Sequence, residues 1–201
     1  KPGLPDSTEL LPEKISLKHY PFKQKNAKRW KLPESLREVS GLAMTSDHRL
    51  FAHNDELSII FELDYRKGSV IKTFYISDVF EPITGDFEGI AITDSMLYVV
   101  TSVGRLFEFR ESSKSQQQLF NMYSTGLGTY YELEGLTWDP EENVLLLIAK
   151  MPIGKVKTKT VSIFKWSIDK KELVKGGEVK IPLKDLSPKR KHKRFHPSGI
   201  E

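Results

Sequence analysis

The sequence contains no cysteine. This absence excludes a disulfide framework, a cysteine-ligated zinc or iron–sulfur site, and a catalytic thiol. It does not fix the compartment, because both secreted and cytosolic chains can lack cysteine. Long apolar runs are missing as well. The longest, residues 144–149, falls far short of the ~18 residues that a membrane span requires.

Helical periodicity is also lacking, since no segment keeps the i, i+3, i+4, i+7 spacing of apolar residues through three turns. Instead, short apolar runs rich in Val, Ile, Phe, Tyr and Thr alternate with turn signals. These runs lie at residues 50–53, 59–63, 70–76, 96–101, 106–109, 144–149, 161–166 and 178–181. The pattern predicts an all-β chain.

The formal net charge of +4 conceals an uneven distribution. Residues 1–31 and residues 184–194 each carry a net charge of +5, which leaves −6 for the rest of the chain. The basic run at 189–194 is compatible with a nucleic-acid, membrane or polysaccharide contact, but we favour a solvated loop inserted between structural units. Because the body is acidic, we expect no nucleic acid as a partner.

A glycine motif recurs four times. It occupies residues 38–43, 86–91, 132–137 and 196–201, and its glycines lie 48, 46 and 64 residues apart. Strand-like segments follow the first three copies. A four-stranded unit repeated every ~40–50 residues is typical of a β-propeller blade. A β-sandwich is the alternative fold, but it does not require the same glycine motif at the start of each unit.

The repeats define the expected domain organisation. Residues 1–14 contain three prolines and one glycine without periodicity, and we interpret them as a flexible tail. Residues 15–201 form the propeller domain, with 15–31 supplying an outer strand and 184–194 an insertion. Three units and the start of a fourth are present, whereas propellers close with ~4–8 blades. We therefore expect a domain that is incomplete at its C-terminus. The sequence has no signal-peptide pattern. It opens at Lys1 rather than at an initiator methionine, so we also expect a processed or trimmed start.

Several motifs together resemble a known family. They are LPESLREVSGLA, HNDELSIIFELD, GDFEGIA, LYVVTSVGRLFEF, YYELEGLTWDPEENVLLLIAK and HPSGIE. In this order they are similar to the SdiA-regulated family of bacterial six-bladed propellers, over residues 15–201. The resemblance implies six blades in the complete protein, an extracytoplasmic location in the periplasm, at the outer surface or anchored to the membrane, and an association with calcium. It implies no particular reaction.

Polar side chains flank each motif glycine. The position three residues before it holds Glu38, Asp86, Glu132 and His196, and the position one before it holds Ser40, Glu88, Glu134 and Ser198. Residues two apart in a strand face the same way, and the inner strands of a propeller surround its axis. These side chains should therefore converge on one mouth of the central channel. The loops that end the second strands should add Asn54, Asp55 and Lys150 there.

Carboxylate and amide oxygens are hard ligands that suit Ca²⁺ better than zinc or copper. The predicted metal ligands are Glu88, Glu134, Glu38, Asp55, Asn54, Asp86 and Glu132. Without a cation, carboxylates gathered at one mouth would repel one another and raise their pKa values. The alternative is that these side chains bond the backbone of the neighbouring blade and help to close the ring.

The sequence contains no GxSxG, HExxH, P-loop or EF-hand motif. We therefore favour a monomeric binding or scaffolding propeller with Ca²⁺ at the channel mouth, where a small molecule or a protein would bind. Peripheral association with the cell envelope fits this role. The alternative is a calcium-dependent hydrolase of an ester, lactone or phosphoester, with Glu88, Glu134 or His196 managing the proton. A third hypothesis is an interaction propeller without an ion.

Overall fold

The structure is a computed structural model that describes residues 29–78, 80–112, 116–153, 159–186 and 197–200. The chain divides into two compact units, residues 1–30 and 31–201, and the description below concerns the second. The predictions for the tail at 1–14, for His196 and for the basic run at 189–194 lie outside the described residues. In the part of the chain that is described, no helix has the length and apolar character needed to cross a membrane.

Three antiparallel sheets make up the described part of this unit, and in each the main strands follow in sequence order. The first sheet contains β1 (Val39–Met44), β2 (Leu50–Asn54), β3 (Ile59–Asp64) and β4 (Ser69–Ile76). The second contains β5 (Phe87–Ile92), β6 (Leu97–Thr101), β7 (Arg105–Phe109) and β9 (Phe120–Ser124). The third contains β10 (Tyr131–Asp139), β11 (Val144–Pro152), β12 (Thr160–Ser167) and β13 (Glu172–Pro182).

The remaining elements are short. Strand β8 (Gln117–Gln118) adds a parallel fifth strand to the first sheet, beside β4. Two 3₁₀ turns span Glu34–Leu36 and Leu127–Thr129, and α1 covers Leu183–Leu186.

Each sheet is a blade of a β-propeller, which confirms the predicted fold class. Strands β1, β5 and β10 begin within one residue of Glu38, Asp86 and Glu132, where the glycine motif predicts the blade starts. These three strands are the inner strands, because β5 contacts both β1 and β10. The blades are called blade 1, blade 2 and blade 3 below.

Large apolar side chains fill the spaces between neighbouring blades. Phe51 and Phe74 of blade 1 are buried in one cluster with Phe87 and Phe109 of blade 2. The ring of Phe74 lies edge-on to both Phe51 and Phe109, at centroid distances of 6.3 and 6.4 Å. A second cluster joins blades 2 and 3 through Tyr98, Val100, Leu106, Leu133, Leu145 and Trp166. Blade-to-blade packing therefore provides the apolar burial that stabilises the fold.

The motif glycines mark the places where inner strands come closest. A Cβ atom at Gly89 would lie 2.5 Å from the backbone nitrogen of Leu136 and 2.8 Å from the carbonyl carbon of Gly135. A Cβ atom at Gly135 would lie 3.0 Å from the Cα of Gly199. Gly89 and Gly135 thus leave room for the backbone of a neighbouring segment, whereas a Cβ at Gly41 would meet the side chain of His53 at 2.5 Å.

Replacing Gly89 by alanine should destabilise the protein by about 1–3 kcal/mol, the usual cost of overpacking a tight interior. The added methyl would meet backbone atoms, which cannot rotate away as a side chain can. Gly85→Ala is the matched control, because the nearest atoms there belong to the side chains of Phe87 and Thr101, at 3.1 and 3.3 Å. Urea unfolding of both variants measures the difference, and equal stabilities would contradict the glycine argument.

Candidate functional site

Strand register identifies equivalent positions in the three blades. Val39 pairs with Asn54, Phe87 with Thr101, and Leu133 with Ala149. The residue that follows each partner therefore occupies the same place at the end of the second strand. We call these the strand-end positions, and they hold Asp55, Ser102 and Lys150.

Backbone hydrogen bonds at the strand-end positions confirm this equivalence and link one blade to the next. Within a blade, the N–H of Asp55 donates to the carbonyl of Glu38, and that of Ser102 to the carbonyl of Asp86, both at 2.8 Å. Between blades, the carbonyl of Asp55 accepts from the N–H of Phe87 at 2.7 Å. The carbonyl of Ser102 accepts from the N–H of Leu133 at 3.0 Å. The register and these hydrogen bonds therefore place the three strand-end positions on one face of the described blades. We call it the mouth face, or the mouth, after the channel mouth that the sequence predicts there.

Three carboxylates meet where blade 1 adjoins blade 2. Oxygen atoms of Asp55, Asp86 and Glu88 all lie within 4.8 Å of one another, and we call this group the acidic cluster. Asp55 and Glu88 are half-buried, whereas Asp86 is exposed. The hydroxyl of Ser40 donates to Oε2 of Glu88 at 3.4 Å. The structure thus brings together three of the predicted metal ligands.

Burial and nearby carboxylates raise the pKa values of two members of the acidic cluster, Glu88 and Asp55. Burial, followed by the charges of Glu134, Asp86 and Asp55, raises the pKa of Glu88 to about 7, against a weaker opposite effect of Lys150. Burial also raises the pKa of Asp55, and the charges of Asp86 and Glu38 add to it. In both cases burial is the largest cause, and the charges of neighbouring carboxylates add to it.

Blade 3 supplies its own cation. The ammonium of Lys150 forms an ion pair with Oε1 of Glu132 at 3.3 Å and a second with Glu134. The hydrogen bond to Glu134 raises the pKa of Lys150, which burial partly opposes and the charges of both glutamates reinforce. The predicted ligands Glu132 and Glu134 are therefore held by an internal ammonium.

The other predicted site residues have different surroundings. Oδ1 of Asn54 accepts the backbone N–H groups of Glu56 and Leu57, at 3.0 and 2.8 Å, so this side chain closes the turn after β2. Glu38 lies near enough to Asp55 to raise its pKa. His196 lies outside the described residues.

A cavity of about 290 Å³ opens between the inner strands. Its walls come from β1, β5, β10 and residues 198–200, and Glu88 is the member of the acidic cluster that reaches it. Its volume is close to the lower end of the ~300–1,000 Å³ range of small-ligand sites. The acidic cluster and the cavity therefore share Glu88.

His53 is a buried group whose environment the sequence did not reveal. Register places it opposite Gly41, where blades 2 and 3 have Val100 and Ile148 opposite Gly89 and Gly135. It is 1% exposed, and its Nδ1–H donates to the carbonyl of Asn54 at 3.0 Å. Nε2 has no hydrogen-bond partner among the described residues. Burial lowers the pKa of His53 to about 4, so a neutral imidazole fills an aliphatic slot.

Comparisons with known proteins give structural likeness only. No protein-family model and no curated protein matches the sequence. Among solved structures, the chain is similar to U3-55K (13% identity, TM-score 0.47) and to the RRP9 WD40 repeats (13%, 0.46). It is also similar to the extracellular domain of BT4673 from B. thetaiotaomicron (16%, 0.46). Each match covers 68% of this chain and spans 38%, 37% and 18% of those chains, respectively. The first two are WD40-type β-propellers.

Proposed function

We propose that this β-propeller is a binding or scaffolding protein whose acidic cluster holds a Ca²⁺ ion at the channel mouth. A comparison of two blades carries the proposal. In blade 3 the carboxylates of Glu132 and Glu134 share the ammonium of Lys150. In blade 2 the equivalent carboxylates are Asp86 and Glu88, but the strand-end position holds Ser102, which brings no charge.

Blade 1 increases this imbalance, because Asp55 brings a third carboxylate to Asp86 and Glu88. Blade 2 therefore has more negative charge around the position that corresponds to the ammonium in blade 3. Among the described residues, no cation of the chain occupies that position. An external cation would restore the balance. The difference in charge between blades 2 and 3 supports a cation at the acidic cluster independently of the family resemblance.

The donor set fits calcium. Three carboxylates offer up to six oxygens, and Ca²⁺ accepts 6–8 oxygen ligands in flexible geometry. Zinc and copper prefer nitrogen or sulfur ligands. A bound divalent ion would also remove the repulsion that raises the pKa of Glu88.

The extracytoplasmic role is part of the proposal. It is supported by the resemblance of the repeat motifs to the SdiA-regulated propellers. The mouth would then bind a small molecule or a protein.

One observation favours the alternative role, a calcium-dependent hydrolase of an ester, lactone or phosphoester. Glu88 reaches the cavity, and its pKa of about 7 without a metal ion suits a general base at neutral pH. In this role the ion would be held by Asp55 and Asp86, and Glu88 would stay free to take the proton. A calcium ion would polarise the substrate oxygen. Glu134 is less available for this role, because its carboxylate forms an ion pair with Lys150.

Two substitutions test the metal site through thermal stability. Calcium should raise the melting temperature of the parent, because an ion that binds only the folded state stabilises it. Ser102→Lys should supply the missing ammonium. This variant should be more stable than the parent in chelator and should respond less to calcium. Glu88→Gln should also weaken the calcium response, since it removes one ligand oxygen and one charge.

Glu56→Gln is the matched control, because Glu56 is an exposed neighbour of Asp55 that does not belong to the acidic cluster. It should keep the full calcium response. Metal analysis of the dialysed protein provides an independent measure. A parent that ignores calcium, together with a Glu88→Gln variant that is more stable than the parent in every buffer, would refute the metal site and favour an ion-free interaction propeller.

A further inference from the structure

Three large apolar side chains project from loops on the mouth face. Val103 follows the strand-end residue Ser102, Tyr130 directly precedes β10, and Ile153 directly follows β11. They are 57%, 68% and 54% exposed, respectively. We call Val103, Tyr130 and Ile153 the apolar rim.

Backbone contacts make the apolar rim continuous. The N–H of Ile153 donates to the carbonyl of Tyr130 at 2.8 Å. The 3₁₀ turn before Tyr130 packs on the backbone of Val103, so closely that a Cβ at Gly128 would lie 1.9 Å from the Val103 carbonyl oxygen. The three residues therefore border one stretch of surface, where blade 2 adjoins blade 3.

This border runs along the acidic mouth. Val103 follows Ser102, whose carbonyl accepts the backbone N–H of Leu133. The sequence neighbours of Leu133 are the mouth carboxylates Glu132 and Glu134. In the described residues the mouth gathers six carboxylates, Glu38, Asp55, Asp86, Glu88, Glu132 and Glu134, around one ammonium, that of Lys150. A single divalent ion at the acidic cluster would leave the mouth net negative. The mouth face thus combines an anionic centre with an apolar edge.

We infer that the mouth and the apolar rim together dock a polypeptide segment of a partner protein in which a lysine or arginine is flanked by large apolar side chains. Charge complementarity selects the basic group, and Lys150 shows that carboxylates of this mouth hold an ammonium. The apolar neighbours of that basic group would cover Tyr130 and Ile153. The inference rests on the proposed binding role of the mouth, but not on the presence of calcium.

The proposed surface has the composition of a binding interface. Aromatic side chains are enriched at such interfaces, and a few of them carry most of the binding energy. Opposite charges contribute mainly to the rate and specificity of association. We therefore expect the apolar rim to determine affinity and the carboxylates to determine the preferred charge of the partner.

A pair of labelled peptides tests the inference by fluorescence anisotropy. One is an eleven-residue peptide of alternating lysine and leucine, and the other has glutamate in place of lysine. The parent should bind the lysine peptide at least tenfold more tightly. Tyr130→Ala and Ile153→Ala should each weaken that binding by about tenfold, as expected for large apolar side chains that the bound peptide covers. Ile71→Ala and Met122→Ala are matched controls, because these side chains are similarly exposed but lie on the outer strands β4 and β9, and their affinity should equal that of the parent.

Measurements with calcium and with chelator separate this inference from the metal site. Tyr130→Ala removes no ligand of the acidic cluster, so its melting temperature should respond to calcium as the parent does. Equal binding of both peptides, unchanged affinity in the rim variants, or an equal loss in the control variants would overturn the docking surface even if calcium binds. Rim-dependent peptide binding in a protein indifferent to calcium would support docking and refute the metal. Spermine that binds as tightly as the lysine peptide would show that the mouth takes a free cation instead.

Discussion

Lys171→Met should lower the free energy of unfolding by about 3 kcal/mol, the cost of leaving a buried charge without its partner. Lys171 lies in the turn between β12 and β13 of blade 3, and its ammonium forms an ion pair with Glu108 on β7 of blade 2. The pair therefore joins two blades. Methionine keeps most of the length of the side chain and removes only the charge and its hydrogen bonds.

The environment of Glu108 explains the size of the effect. Glu108 is 6% exposed. Its carboxylate also accepts the hydroxyl of Tyr98 at 2.9 Å, the hydroxyl of Tyr123 at 3.3 Å and the amide of Asn121 at 3.4 Å. These neutral donors would remain in the variant, but they cannot neutralise the negative charge.

The pH dependence of this effect has a definite sign. Burial opposes the charged form of Glu108, but the hydrogen bonds from Lys171 and Tyr98 outweigh it and hold its pKa below the ordinary value. Without Lys171, burial should raise that pKa. The carboxyl would then take up a proton as the solution is acidified, so the stability gap between parent and variant should narrow from pH 7 toward pH 4.

A second substitution and a control complete the test by urea unfolding. Adding Glu108→Gln to Lys171→Met should recover most of the lost stability, because it removes the unpaired charge. The carbonyl oxygen of glutamine can still accept from Asn121 and Tyr123, and its amide can donate to the hydroxyl oxygen of Tyr98. Lys165→Met is the control, since Lys165 pairs with the exposed Glu142 and should cost less than about 1 kcal/mol. A double variant as unstable as Lys171→Met would show that the loss comes from packing rather than from charge.

Much of the fold could be predicted from the sequence, because the glycine motif has a local cause. The inner strands must approach closely at Gly89 and Gly135, and this requirement leaves a visible repeat. The fourth strand of blade 2 was not predicted. Strand β9 has only five residues, and its mixed apolar and polar side chains, none of them buried, show no two-residue period. Strand β8 was also missed, since two glutamines show no strand pattern.

The candidate site could be predicted in part. Repeat spacing places Asp55, Asp86 and Glu88 at one mouth, and the structure brings them within reach of one ion. The calcium itself stays a prediction. The division of the carboxylates into a cluster without a cation and a pair held by Lys150 was not predicted, because it depends on which residue occupies each strand-end position. Glu108 and Lys171 lie 63 residues apart in the sequence and in different blades. No local sequence pattern predicts their contact.

Acid should expose two opposing titrations in the metal-free protein. Burial lowers the pKa of His53 to about 4, below the ordinary value of 6.5. The unfolded chain therefore binds this proton more readily, and the stability that neutral His53 contributes is lost as the pH falls from 6.5 toward 4. The loss of stability from this shift is about 3 kcal/mol.

The titration of Glu88 changes stability in the opposite direction, because its pKa is raised from 4.5 to about 7. Its contribution to stability is present below pH 4.5 and is lost as the pH rises through 7, and Asp55 shifts in the same direction.

Single substitutions should separate these titrations when urea unfolding is followed in chelator between pH 7 and pH 4.5. Glu88→Gln removes the group that gains stability in acid, so this variant should lose stability on acidification more steeply than the parent. His53→Val removes the opposite effect and should gain stability as the pH falls. Valine suits the slot, because Val100 and Ile148 occupy it in the other blades and none of the described residues forms a hydrogen bond with Nε2 of His53. At pH 7 His53→Val should therefore be about as stable as the parent. If all three proteins gave parallel curves, neither His53 nor Glu88 would titrate as its burial requires.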